Sequence, residues 1–329
     1  MTIWENNVIQ LIKMRSEPVY KQSQVLREIN PSVKCDLLYS TVDTIENWAV
    51  AGGNLVYTHS NGAGTFLRLI DLTQPRKPSQ IIKLGRGPLN RVVKCGSEFV
   101  IFAQESLEIS TIYRLRENGD LEFFSITPEF LGSHPMIIDG NLLLYQKQRF
   151  FQFRDGEVHE ISLFQDLARY RYFGHNQNIA YFGLVGAELL AVKPFEGTFQ
   201  RIRETYFKTP LVFEGGIAYS VSPAPSLDVH PQNFEAVLND GTKIDLGFYQ
   251  CMDVDANKRG CIFLVRTEEG LLKVVEHQIL GENSIKELMS VNQAVGKCIK
   301  RYGFSGYEDG VVIPAPCNQG VGFYYLKSE

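Results

Sequence analysis

The chain has 329 residues, 44% of them apolar and 12% aromatic, with a formal net charge of −4. That composition supports a large buried core and excludes a disordered chain. Lys and Arg are scattered and commonly followed by acids, as in Arg114-Leu115-Arg116-Glu117, so no basic footprint for a nucleic-acid backbone exists and no such partner is expected.

No apolar run reaches the ~18 residues of a membrane-crossing helix. The stretch Met1-Thr2-Ile3-Trp4-Glu5-Asn6-Asn7 lacks the basic and apolar regions of an ordinary signal peptide. Six cysteines (Cys35, Cys95, Cys251, Cys261, Cys298, Cys317) stand singly, without the spacing of a disulfide or zinc framework. These features lead to the expectation of a cytoplasmic protein with reduced thiols, although an effector exported without a cleaved signal would look the same.

Residues 1–32 differ from everything downstream. Thr2 and Glu5 have capping-box spacing, and Trp4, Val8, Leu11, Ile12 and Arg15 share one helical face. After Pro18 a weaker helical stripe runs to Pro31. This segment is expected to be helical, with Trp4 and Leu11 on a face that either packs on the domain or docks a partner.

From Val33 the pattern becomes strand-like, beginning with an isolated segment, Lys34 to Ser40. One turn then recurs at Gly52-Gly53-Asn54, Gly96-Ser97-Glu98, Asp139-Gly140-Asn141, Asn176-Gln177-Asn178, Gly215-Gly216, Lys258-Arg259-Gly260 and Glu308-Asp309-Gly310. Such residues suit hairpins that need φ > 0. After most of these turns comes an apolar run, such as Phe99-Val100-Ile101-Phe102 or Leu142-Leu143-Leu144-Tyr145, as expected of an inner blade strand. A second turn series interleaves in phase: Pro75 to Pro78, Glu117 to Asp120, Arg154 to Glu157, Phe195 to Thr198, Asn239 to Thr242 and Gly281 to Asn283. Each period therefore holds four short strands in about 40 residues, the size of one propeller blade.

The first series has seven members and the second six, because the last unit stops at its third strand, Val321 to Leu326. An open blade edge invites fraying and aggregation. Lys34 to Ser40 is the spare strand that closes it. The expected fold is all-β, a seven-bladed β-propeller over residues 33–329 closed by an N-terminal strand in the last blade. Six blades plus an appendage is the alternative. In pattern the chain resembles β-propeller repeat proteins, without the Gly-His and Trp-Asp signatures of WD40 repeats, the Gly-Gly pattern of kelch repeats or the sialidase box.

Few residues stand out for chemistry. The six histidines have no HxH or HExxH spacing, and each reads as a surface or hydrogen-bonded side chain. Asp253 to Asn257 begins like a calcium loop, but Lys258 stands where its glycine belongs. Neither a metal nor a cofactor is expected. Gly85-Arg86-Gly87-Pro88-Leu89-Asn90-Arg91 could cradle an anion with Arg86 and Arg91. Arg169-Tyr170-Arg171-Tyr172 alternates arginine with aromatics, as interface hot spots do and as an ordinary strand also can. No GxSxG elbow is present. The leading functional expectation is a non-enzymatic scaffold that presents its loops and N-terminal helix to a protein partner. The alternative is a protein that binds a small glycan or anion, or hydrolyses it, at the channel mouth.

Overall fold

A computed structural model describes residues 29–328, apart from 75–78, 86–89, 105, 107, 155–156, 162–166, 168, 185–187, 204–206, 222–231, 282–283 and 318–319. It contains seven four-stranded antiparallel sheets. Blade 1 runs Asn47–Ala51, Asn54–Asn61, Gly64–Asp71 and Gln80–Gly85. Blade 2 is Arg91–Cys95, Glu98–Gln104, Ser110–Leu115 and Leu121–Ile126, and blade 3 is His134–Ile138, Asn141–Gln146, Arg149–Arg154 and Glu157–Ile161. Blade 4 is Arg171–Asn176, Ile179–Leu184, Glu188–Lys193 and Thr198–Arg203. Blade 5 is Lys208–Phe213, Gly216–Val221, Gln232–Leu238 and Lys243–Tyr249, and blade 6 is Cys251–Ala256, Gly260–Arg266, Leu272–Gln278 and Ser284–Val291. Blade 7 is Ser305–Tyr307, Gly310–Cys317 and Gly320–Ser328, and its fourth strand is Val33–Thr41.

That last pairing closes the ring as expected, with Cys35 opposite Leu326 and Asp36 opposite Tyr325. The seven-blade reading stands, and six blades plus an appendage does not. The closure is reinforced where blade 7 meets blade 1: Trp48 Nε1 donates to the Tyr302 carbonyl at 2.7 Å, and its ring lies 4.9 Å from that of Phe323.

The apolar runs are second strands sandwiched between neighbouring blades, as expected. First strands of neighbouring blades pack side by side around the axis, and the second strands lie one place further out. The reason is coverage. Each gap between blades holds its own apolar cluster, seven in all, and the second strands supply side chains to the gaps on both sides. Phe99 and Ile101 pack toward blade 1, while Val100 and Phe102 pack toward blade 3. All four are fully buried, each worth roughly 1.5–3 kcal/mol relative to exposure. First strands border an open channel, so they tolerate polar residues.

Five of the seven first turns use φ > 0, at Gly52-Gly53, Gly96, Asp139-Gly140, Gln177 and Glu308. The turn into the second strand of blade 6 does without it, because the Asn257 side chain accepts from the Arg259 and Gly260 backbone N–H groups, each at 2.9 Å. Space is tightest at Gly306, where a Cβ would stand 1.9 Å from the Ala256 carbonyl oxygen.

One helix escaped the strand grammar. Gln293–Tyr302 links blades 6 and 7, capped by Asn292, whose side chain accepts from the Val295 N–H at 2.9 Å. It ends at Gly303, with φ 74°. Val295 and Ile299, one turn apart, bury its apolar side against the blade 6–7 cluster. Among the described residues, no helix is long and apolar enough to cross a membrane.

Candidate functional site

First strands all run the same way, from a strand-start face to the face that carries the first turns. They enclose a channel of about 710 Å³. At the strand-start mouth, three consecutive blades place a nitrogen-bearing side chain on the same rung. Arg91, His134 and Arg171 are the first residues of the first strands of blades 2, 3 and 4. Tyr172 follows directly and lines the channel with Arg91 and His134.

Each group is held from behind. The Arg91 guanidinium stands over the Phe102 ring, 4.3 Å from its centroid, and donates through Nη2 to the Ser133 carbonyl. Burial lowers its pKa, and it remains a cation throughout the ordinary pH range. His134 is exposed at the mouth, with its ring 5.3 Å from that of Tyr172. Burial holds its pKa below the ordinary imidazole value, and the charges of Arg91 and Arg171 add to the effect. Burial also pushes the Tyr172 phenol well above its usual value.

Beneath them, His175 Nε2 accepts the Ile137 backbone N–H at 3.0 Å, and Nδ1 lies 2.8 Å from the Tyr172 hydroxyl. Burial lowers the His175 pKa to about 4, so it is neutral at pH 7.

The opposite mouth has the other sign. Glu117, Glu214, Asp255 and Glu308 line it, against Lys94 and Lys258. Lys258 Nζ pairs with Glu308 at 2.7 Å; that bond and the charges of Glu308, Glu214 and Glu117 raise its pKa. From blade 2, Lys94 reaches past blade 1 to donate to the Gly306 carbonyl of blade 7 at 2.6 Å. Burial lowers its pKa, opposed by the charges of Asp255 and Glu308.

Of the residues singled out in the sequence, Arg91 and Tyr172 meet in the lining of one mouth although 81 positions separate them, and Arg171, exposed and outside that lining, is close enough for its charge to act on His134. Arg169 is exposed outside the channel lining. The Tyr170 hydroxyl is taken by Glu188, which also pairs with Arg201, and the bond to Glu188 raises its pKa. Trp4, Leu11 and Arg86 lie outside the described residues. His134 and His175 went unrecognised in the sequence. Counting back from the first turn would have found His134, which precedes Asp139 by the same five residues that separate Arg91 from Gly96.

No protein-family model matches the chain, and no curated protein matches it in sequence. Solved structures do. An oligogalacturonate lyase from Vibrio parahaemolyticus superposes with a TM-score of 0.57 at 13% identity, covering 91% of this chain and 95% of the other. An oligogalacturonate lyase in complex with manganese gives 0.52 at 10% identity, covering 92% of each chain. A post-proline cleaving enzyme from Rickettsia typhi gives 0.52 at 8%, covering 86% of this chain and 49% of that one.

These likenesses establish the propeller fold, and they overturn the expectation of a non-enzymatic scaffold. That expectation rested on absent motifs, but a propeller assembles its site from separate blades and leaves no local motif to find. The channel-mouth alternative is the better-supported reading. Among the described residues, no group of three or more His, Cys, Asp or Glu side chains is placed to hold a metal ion, so they assemble no donor set for an ion like the manganese of that neighbour.

Proposed function

We propose that this protein binds and acts on a small anionic ligand at the strand-start mouth of its channel, and that the ligand class is a carboxylated sugar. The observation that carries the reading is Arg91 and His134 on one rung of the channel lining, with Tyr172 beside them and the charge of Arg171 acting on His134 from just outside. Guanidinium groups pair with carboxylates through directed, charge-assisted hydrogen bonds. His134, its pKa held down by burial and both arginines, is a neutral proton acceptor at pH 7. A carboxylate neutralised by two cations makes the adjacent C–H more acidic. The reaction class that suits these groups is proton abstraction next to a carboxylate. The two oligogalacturonate lyases carry, in their names, a ligand of the same anionic glycan class.

The test is calorimetric titration with galacturonate and digalacturonate, with galactose as the neutral control. The uronates are expected to bind and galactose not. Digalacturonate is then followed by ultraviolet absorbance for a newly conjugated double bond. Equal binding of galactose and galacturonate, or binding of neither, would refute the reading.

A further inference from the structure

We infer that Tyr172 presents its phenolic proton to an acceptor oxygen of the bound ligand, and that His175 is the positioning residue that turns it there. The inference rests on the anion reading of the mouth.

Its logic is one of counting protons. A neutral imidazole has one N–H and one acceptor nitrogen. His175 Nε2 accepts the Ile137 N–H and therefore bears no proton, so the proton sits on Nδ1. Nδ1–H then donates to the Tyr172 oxygen at 2.8 Å. The phenol's own proton cannot point back at His175. Among the described residues no other acceptor engages it, and Tyr172 faces the channel. The open end of this relay, Ile137 N–H to His175 to Tyr172, is a hydrogen-bond donor aimed into the lumen.

The backbone is shaped for this arrangement. Residues three apart on a regular strand point to opposite faces, so Tyr172 and His175 should not meet. The pairing of the first two strands of blade 4 shifts register between Tyr172, opposite Phe182, and Gly174, opposite Tyr181. Phe173 is the extra residue, and its ring packs into the blade 4–5 gap. The bulge restores Tyr172 and His175 to one side, and bulges commonly re-aim a side chain in this way. Gly174 accommodates it with φ 157°, where a Cβ would press within 2.9 Å of Val212. Burial keeps His175 neutral down to about pH 4 and the phenol protonated well above neutrality, so the donor is constant across the working range.

The test has a spectroscopic arm and a binding arm. Side-chain ¹⁵N NMR of His175 at pH 7 should show the neutral Nδ1–H tautomer. The Nε2–H tautomer or the cation would overturn the direction of the relay. In the binding arm, Tyr172→Phe, which also leaves the His175 Nδ1–H without its acceptor, should still fold with a lowered melting temperature and bind galacturonate roughly 10-fold more weakly. His175→Leu gives Tyr172 no donor. It should weaken galacturonate similarly, and the double variant should show no further loss, whereas a merely structural His175 would give additive losses. Tyr172→Phe binding galacturonate as tightly as wild type would overturn the role of the phenol. Wild type binding no galacturonate would overturn the anion reading and, with it, the role of Tyr172 toward that ligand; the NMR arm still decides the relay by itself.

Discussion

Replacing Arg91 by methionine separates the electrostatic role of the mouth from its packing role. Methionine keeps an unbranched stem beneath the lost charge, so the Phe102 ring stays covered. What disappears is a guanidinium 4.3 Å from that ring centroid and its bond to the Ser133 carbonyl. From a cation–π contact of about 0.5–2 kcal/mol and a hydrogen bond of about 1 kcal/mol, the folded state should lose about 1–3 kcal/mol. Galacturonate should bind roughly 10- to 100-fold more weakly, the equivalent of about 1.5–3 kcal/mol for a hydrogen bond to a charged group. The diagnostic effect is on His134. Among the charges that depress its pKa, Arg91 stands ahead of Arg171, so the variant's pKa must rise. Burial and Arg171 remain, so it should stop short of the ordinary value of about 6.5. An NMR titration of the His134 ring measures this directly. A His134 pKa that stays put or falls, or unchanged galacturonate affinity, would refute the placement of Arg91 beside His134 and the ligand.

Three further outcomes follow from the same structure. His175 is held near 4 in the folded chain against about 6.5 unfolded, so above pH 6.5 both states are neutral and its contribution is complete. As pH falls from 6.5 to about 4 only the unfolded chain takes the proton, and stability should drop by on the order of 3 kcal/mol in all; urea unfolding at pH 7.5 and 5 should show about 2 kcal/mol of it, shrunken in His175→Gln. Glu276 is fully buried and accepts from Asn257 at 2.7 Å, Ser328 at 2.8 Å and Gln278 at 2.9 Å, so Glu276→Gln sets an amide N–H against donors. It should cost about 3 kcal/mol in chemical unfolding, and a loss under about 1 kcal/mol would show that those donors find other partners. Leu326 is fully buried opposite Cys35 on the closing strand, so Leu326→Ala should cost about 2–5 kcal/mol and make hydrogen exchange of the Val33–Thr41 amides faster.

The ring was legible in the sequence because two turn series, of seven and six members, kept phase, and the closing strand because one unit lacked a fourth strand. The place of the second strand was legible too. An unbroken apolar run such as Phe99 to Phe102 reports burial on both faces, and in a propeller that condition belongs to the second strand. The helix Gln293–Tyr302 was missed because only Val295 and Ile299 are buried on it, too short a stripe to register against strand-rich surroundings. The site was half legible. Arg91, Arg171 and Tyr172 belonged to conspicuous runs, whereas His134 looked isolated because its neighbours in space lie in other repeats. His175 was hidden by the bulge, since strict alternation puts it on the wrong side of Tyr172.

The two mouths constrain how an anion can sit. A regular strand rises about 3.3 Å per residue, so the Arg91 rung and Lys94, three residues on, are separated by roughly 10 Å along the axis. A carboxylate entering from the strand-start face meets Arg91 and His134 first, within the field of Arg171, then the donor of Tyr172. Deeper in it approaches Glu117, Glu214, Asp255 and Glu308, which Lys94 and Lys258 only partly neutralise. Moving an anion further inward therefore costs energy, because like charge faces it across a channel with low-dielectric walls. The same field admits an anion at one mouth and repels it at the other. On the proposed reading, a charged sugar is held at the rung where the neutral imidazole and the phenol stand, and the acidic end contributes to that placement without touching it.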